Sequence, residues 1–187
     1  IRGAGNLLGG EQSGHIAEVG FDLYVRLVGE AIDEVRQGGV PVSESVVKVE
    51  LPVDAHLPHE YVPEERLRLE AYRRLADART AEAVTEVVAE LNDRFGPMPA
   101  PVETLVAIAR LRVQLISVGI EEVISAGNTV RFSPVELPES KTMRLARLYP
   151  GTTIKAATRT IVVPRPRSGM LGQDASAVDS MELVDWV

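Results

Sequence analysis

The spacing of apolar residues predicts four helices in the first two thirds of the chain. Between His15 and Gln37 apolar residues recur at intervals of three and four, and a pair of glycines follows. The same period returns in three later segments, which we expect to begin near Pro63, Thr80 and Val102. Residues three and four apart share one helix face, so each segment has an apolar face to bury.

Local signals set the predicted ends of the first two of these later helices. Pro63 suits a first helical position, with two glutamates in the first turn. The Thr80 hydroxyl is expected to cap the next helix, and Gly96-Pro97 to end it. The predicted buried faces are Leu69, Tyr72, Leu75 and Ala76 in one helix, and Val84, Val87, Val88, Leu91 and Phe95 in the other.

The last of the four, Val102 to Val118, is apolar nearly all round and is predicted to be the buried centre of its domain. Arg112 projects from an otherwise apolar side. A buried guanidinium needs an acceptor, so we interpret Arg112 as a structural ion pair or a snorkelling stem rather than a ligand contact.

Alternating and β-branched runs predict strands around and after these helices. Gly127-Asn128 suits a hairpin turn. The predicted strands are 46–51, 122–125, 129–132, 153–157 and 160–163, with a short helix at 139–148 and an amphipathic segment at 176–186. We therefore predict an α+β fold: an N-terminal helical hook (1–39), a linker (40–45), and a compact domain (46–187) of about three core helices with small antiparallel strand pairs.

Composition restricts the classes of function. The chain is 45% hydrophobic but only 4% aromatic, so packing rests on aliphatic residues, and the absence of cysteine excludes disulfides and thiol catalysis. No apolar run approaches the roughly 20 residues of a membrane span, and we expect a cytoplasmic protein. The net charge of −7 weighs against DNA binding by this piece alone, so proteins are the expected partners.

The glycine-rich opening, residues 1–14, nearly matches two nucleotide-binding motifs. Gly5 and Gly10 have P-loop spacing, but Glu11 and Gln12 stand where Lys and Ser or Thr are needed. In the dinucleotide motif Leu8 replaces the third glycine. The sequence therefore argues against nucleotide binding here, and leaves a loop that presents Arg2 and Gln12.

Two sets of motifs carry a resemblance to a known family. The first resembles the translocation motif shared by bacterial transcription-repair coupling factors and the helicase RecG: Arg2-Gly3-Ala4-Gly5, Leu7-Leu8-Gly9, Glu11-Gln12-Ser13-Gly14 and Val19-Gly20-Phe21-Asp22-Leu23-Tyr24. The second is similar to the C-terminal domain that only the coupling factors have: Tyr61-Val62-Pro63, Arg66-Leu67, Tyr72-Arg73-Arg74-Leu75-Ala76, Glu90-Leu91-Asn92-Asp93-Arg94-Phe95-Gly96-Pro97 and Ile108-Ala109-Arg110-Leu111-Arg112.

The resemblance implies a regulatory fragment of an ATP-dependent DNA translocase that displaces stalled RNA polymerase and recruits nucleotide excision repair. Arg2 and Gln12 would couple ATP hydrolysis to translocation on duplex DNA. Glu90, Asp93 and Arg94 would dock on the factor's own N-terminal UvrB-like module and mask its UvrA-binding surface. ATP and magnesium would bind the whole protein outside this chain, which needs no cofactor. Without its motor, the exposed 16–37 helix is expected to self-associate or to be disordered.

Charged patches leave alternatives open. Glu82, Glu86, Glu90 and Asp93 share one helix face, which by itself indicates no more than solvation. A basic stretch indicates either a surface paired with the acidic tail or another domain, or an autonomous nucleic-acid-binding module. It comprises Lys141, Arg144, Arg147, Lys155, Arg159, Arg165 and Arg167.

No catalytic constellation is recognisable. His56 and His59 lack zincin spacing, so we expect them in a solvated loop rather than at a metal site.

Overall fold

The computed structural model describes residues 47–165 and 180–187. The predictions for Arg2, Gln12, the 16–37 helix and the 40–45 linker lie outside the described residues, and the domain boundaries stay predictions. The elements in chain order are β1 (Lys48–Glu50), α1 (Glu65–Asp77), α2 (Ala81–Phe95), α3 (Ala100–Val118), β2 (Glu122–Ala126), β3 (Thr129–Ser133), α4 (Glu139–Leu148), β4 (Thr153–Lys155), a 3-10 turn (Ala156–Thr158), β5 (Thr160–Pro164) and α5 (Ser180–Trp186).

These elements belong to two units, and the predicted α+β class is confirmed. Among the described residues, the first unit is 54–106, with α1, α2 and the start of α3. The second contains 47–53 and the described residues from 107 onward, with the rest of α3, the sheet, α4 and α5. No helix in the described part is long and apolar enough to cross a membrane.

In the first unit, an irregular segment before α1 is held by side chains of that helix. The Leu57 N–H donates to the Tyr72 hydroxyl at 2.7 Å. Arg68 is buried, and its Nη1 donates to the carbonyls of Val62 at 2.7 Å and Pro63 at 2.9 Å. Buried polar groups need such partners, because an unsatisfied one costs about 1–3 kcal/mol. The irregular chain is thereby tied to α1.

Arg68 also explains why the predicted start of α1 is wrong by two residues. The helix begins at Glu65 with Glu64 as its N-cap, so Pro63 precedes it. The first backbone bonds run from Leu67 and Arg68 to the Glu64 carbonyl, both at 3.1 Å. The Pro63 carbonyl instead accepts from the Arg68 side chain. Tyr72 and Leu75 are buried as predicted, whereas Leu69 and Ala76 are half-buried.

The prediction for α2 is confirmed at both ends. The Thr80 hydroxyl accepts from the Ala83 N–H at 3.2 Å, and Val84, Val87 and Leu91 are buried. Gly96 ends the helix with φ 82° while its N–H donates to the Asn92 carbonyl at 3.0 Å. Glycine adopts this conformation without steric cost, so the helix ends sharply there.

The second unit is built on one five-stranded sheet in the order β1-β2-β3-β5-β4. β1 pairs parallel with β2, and the other neighbours are antiparallel. The predicted strand pairs exist, but β3 and β5 join them into a single sheet. The buried strand positions are Val49, Val123, Val130, Ile161 and Val163.

α3 is the apolar helix that the sequence predicts, and it begins at Ala100 rather than Val102. Its buried residues include Leu105, Ile108 and Leu115. Arg112 is 5% exposed and its Nε and Nη1 atoms are buried, so a snorkelling stem with its head in water is wrong, and the structural ion pair stays a prediction.

The last two helices differ in burial. α4 has no buried residue. α5 buries Leu183 and Val184, and Trp186 meets the Tyr149 ring edge-on at 5.8 Å between centroids.

We expect the Leu105→Ala substitution to lower the free energy of unfolding by about 2–5 kcal/mol, because Leu105 is fully buried and its truncation leaves a cavity. Chemical denaturation followed by circular dichroism measures the change. Val118→Ala, at a position 67% exposed on the same helix, is the control and should stay within about 0.5 kcal/mol of wild type. Equal losses in both variants would contradict this account of the core.

Candidate functional site

The acid–arginine end of α2 is tied to α1 by one carboxylate. Arg74 of α1 donates from Nη1 to Glu90 Oε2. Arg94, one helical turn after Glu90, donates from Nη1 to Glu90 Oε1 at 2.9 Å. Both oxygens of Glu90 are therefore occupied from within the first unit, and the carboxylate joins two helices.

These contacts lower the pKa of Glu90 below its ordinary value of 4.5. The hydrogen bond from Arg74 is the largest cause, followed by that from Arg94. Both favour the charged form of the carboxyl. Glu90 is thus ionised at neutral pH but largely neutralised by its two arginines.

Arg94 is positioned by a second contact. Its guanidinium carbon lies 5.4 Å from the centroid of the Phe95 ring, and it is exposed to solvent. The Phe95 ring packs against Tyr61 at 5.8 Å between centroids. A cation near an aromatic ring and a carboxylate is restricted in its rotamers, so Arg94 presents its remaining donors in a defined direction.

Tyr61 fastens the C-terminal end of α2 itself. Its hydroxyl lies 2.9 Å from the carbonyl oxygen of Gly96 and 3.2 Å from that of Leu91, and its single proton is shared between these two acceptors. Carbonyls in the last turn of a helix have no partner within the helix, and this side chain supplies one. Burial raises the pKa of Tyr61 above its ordinary value of 10.0, so the hydroxyl keeps its proton.

Asp93 contrasts with Glu90. It is exposed, and within residues 47–165 and 180–187 it forms no ion pair. Glu82 and Glu86 are also exposed. The acidic face predicted on α2 is therefore not uniform: Glu90 is paired with two arginines, while Asp93 is exposed at the helix end, next to Arg94 in sequence.

The sequence pattern does not predict the structural contacts of Tyr61, Arg68 and Arg74. Tyr61 and Arg74 appear there only as matches to the family motif. Arg74 and Tyr61 contact residues that are distant in sequence. Arg74 binds Glu90, 16 residues away, and Tyr61 binds Gly96, 35 residues away. Helical spacing carries no signal for such contacts.

The two loop histidines differ in exposure, since His56 is half-buried. His56 Nδ1 lies 2.8 Å from Asp54 Oδ1, and His59 is exposed. Among the described residues no group of three or more potential metal-binding side chains occurs.

The arrangement at the end of α2 suits charge-assisted recognition of another surface.

The basic stretch lies in the second unit. Lys141, Arg144, Arg147 and Lys155 are exposed. Arg159 pairs with Glu136 at 3.6 Å, and Arg165 donates to the Gly127 carbonyl at 3.4 Å, while Arg167 lies outside the described residues. Across the part that the structure describes, none of them pairs with Glu182 or Asp185 of α5. This finding gives no support to pairing with the acidic tail.

Comparison with known proteins now identifies the family. The family model for the TRCF domain matches residues 51–145, which include α1, α2, α3 and most of α4. A transcription-repair-coupling factor of Mycobacterium tuberculosis is 50% identical over the whole chain, and that of Escherichia coli is 43% identical over 65% of it. The chain belongs to the transcription-repair-coupling factor family.

The fold of this family domain is also known. A crystal structure of the C-terminal domain of transcription-repair coupling factor matches with a TM-score of 0.55 at 18% identity, covering 75% of this chain and 88% of that one. The chain spans 16% of the length of the mycobacterial relative and 11% of that from Escherichia coli. The relatives are therefore much longer proteins.

We expect Glu90→Gln to lower stability at neutral pH and to have less effect in acid. The folded-state pKa of Glu90 is lowered, so its contribution is full above pH 4.5 and is lost as pH falls through the folded value. Urea unfolding across this range measures the difference. Glu86→Gln is the control, since Glu86 is exposed in the middle of the same helix and forms no ion pair in the described chain. A Glu90→Gln effect independent of pH would contradict the pairing.

Tyr61→Phe removes the hydroxyl that closes α2 while keeping the ring that packs on Phe95. We expect a loss of about 1–2 kcal/mol in unfolding free energy and faster amide exchange in the last turn of α2. Hydrogen exchange measured by NMR provides the local readout. Tyr149→Phe serves as the control, because its hydroxyl has no hydrogen bond in the described structure. Unchanged exchange in the last turn of α2 would show that the hydroxyl does not hold it.

Proposed function

We propose that this chain is the C-terminal regulatory part of an ATP-dependent DNA translocase that displaces stalled RNA polymerase and recruits nucleotide excision repair. Residues 46–187 restrain the factor by docking on its own N-terminal UvrB-like module and masking the UvrA-binding surface. Membership of the transcription-repair-coupling factor family supports a role within such a larger protein. The observation that carries the docking step is the exposed, preorganised acid–arginine end of α2.

Preorganisation is what makes this helix end suitable for docking. Tyr61 holds the last turn, and Glu90 with the Phe95 ring orients Arg94. A partner that binds a side chain already held in place loses less conformational entropy than one that must order it. Asp93 and Arg94 then offer one acceptor and one donor side by side.

Within the proposed contact the three residues have different tasks. Glu90 is occupied by Arg74 and Arg94, so it acts mainly by orienting Arg94. Asp93 and Arg94 are the side chains that meet the partner. This division refines the expectation that all three contribute alike.

The contact suits a restraint that has to be released. A few charge-assisted hydrogen bonds provide an interaction of a few kcal/mol, comparable to the 1–3 kcal/mol typical of coupling between sites. An extensive apolar seam would be harder to open. Engagement of RNA polymerase by the whole factor would then shift the equilibrium toward the released form.

The remaining functions belong to the whole protein. We propose that ATP and magnesium bind motor domains outside this chain, and that Arg2 and Gln12 relay the state of the nucleotide to the grip on duplex DNA. This chain is not itself a catalyst. Self-association through residues 16–37 stays a proposal for the isolated piece.

Binding of the full chain to the separately produced N-terminal module tests docking. We expect Asp93→Arg to weaken this binding by at least about tenfold, since a charge-assisted contact is worth roughly 1.5–3 kcal/mol. Glu82→Arg makes the same charge change at another exposed position on α2 and should leave the affinity near that of wild type. Calorimetry measures both.

Either of two outcomes would overturn the proposal. The wild-type chain could fail to bind the module, or Glu82→Arg could weaken binding as much as Asp93→Arg does. In the second case only the net charge of the chain would matter. Arg74→Gln adds a further check, because loss of its bond to Glu90 should produce a smaller decrease in affinity than Asp93→Arg.

A further inference from the structure

We propose that the outward side of α4 is a docking site for an acidic amphipathic helix of a partner protein. This α4 outer face consists of Lys141, Met143, Arg144, Arg147 and Leu148, all of them exposed. It lies in the second unit and shares no residue with the acid–arginine end of α2. The proposal does not depend on docking by α2.

α4 is a helix without a buried face. None of its ten residues is buried. Isolated helices shorter than about 12–15 residues are marginal in water, and helices in proteins gain most of their stability by packing an apolar face. The half-buried side of α4, with Thr142 and Leu145, provides only part of that packing. A partner on the outward side would complete it.

Two large apolar side chains of α4 are exposed to solvent. Met143 is 68% exposed and Leu148 is 57% exposed. Five residues apart on a ten-residue helix, they stand at opposite borders of the outward side. Single exposed apolar residues are ordinary, but two such side chains on a helix with nothing buried mark a place where another apolar surface fits. Methionine also adapts to partners of varied shape.

The positive charge of the α4 outer face selects the kind of partner. Lys141, Arg144 and Arg147 lie between and beside the two apolar residues, and in the described chain none of them forms an ion pair. Glu139, in the first turn, is the single acid of the helix. A complementary surface carries carboxylates next to apolar side chains, and an acidic amphipathic helix presents both.

The same features favour a protein over a nucleic acid or a membrane. Exposed Met and Leu add nothing to phosphate binding, and the nearest aromatic side chain, Tyr149, is half-buried and packed on Trp186. A membrane-binding helix needs a continuous apolar face, whereas here basic residues separate the two apolar ones.

The test uses the full chain and a fluorescent helical peptide of about 20 residues with leucines at helical spacing flanked by glutamates. Two further peptides replace the glutamates with lysines or the leucines with serines. Duplex DNA and anionic lipid vesicles serve as the alternative ligands. We expect saturable binding of the acidic amphipathic peptide alone, measured by fluorescence anisotropy, and by co-sedimentation for vesicles.

Paired variants separate the two components of the face. Arg144→Glu with Arg147→Glu, and separately Met143→Ser with Leu148→Ser, should each weaken peptide binding by at least about tenfold. Arg110→Glu and Val118→Ser change an exposed basic and an exposed apolar residue of α3 in the same unit, and should leave binding unchanged. Circular dichroism confirms that each variant is folded.

Several results would overturn the proposal. The acidic peptide could fail to bind wild type, or bind equally after Met143→Ser with Leu148→Ser, which would leave charge alone. Binding of DNA or vesicles in preference to the peptide, with loss in the arginine variant, would assign the face to a nucleic acid or to a membrane. Equal loss in the control variants would show that the peptide binds elsewhere.

Discussion

The first unit depends on satisfying the backbone of a partly buried, irregular segment. Residues 54–63 form no helix or strand, yet Leu57 and Val62 are fully buried. Their polar backbone groups need partners, and α1 supplies them through the Tyr72 hydroxyl and the Arg68 guanidinium. Once this segment is fixed, Tyr61 stands where its hydroxyl can close the end of α2.

These contacts fix the geometry of the acid–arginine end of α2. A helix end normally frays, because its last carbonyls lack partners. Here the Tyr61 hydroxyl donates to the carbonyl of Gly96, the C-cap residue, and Glu90 is held by arginines from two helices. Asp93 and Arg94 therefore project from a rigid support. The α4 outer face is the opposite case, since α4 is a helix whose packing within the described chain is incomplete.

How far the sequence predicts these features depends on the range of the interaction. The Thr80 cap, the glycine that ends α2 and the Gly127-Asn128 hairpin are local, and all three are present as predicted. The start of α1 was misplaced because Arg68 reaches back to the carbonyls of Val62 and Pro63. The joining of the strand pairs was missed because β3 and β5 are separated by α4 and β4.

For the residues that the structure describes, the sequence by itself determined the helical and strand segments, the α+β class and, through its motifs, the family. Those features follow from apolar periodicity and local turn chemistry, which act over a few residues. Tertiary structure alone decided that Arg74 of another helix pairs with Glu90 while Asp93 is exposed, although both acids lie on one predicted acidic face. The reason is physical: the charge available at a surface depends on which side chains folding brings near it, and Arg74 arrives from a different helix.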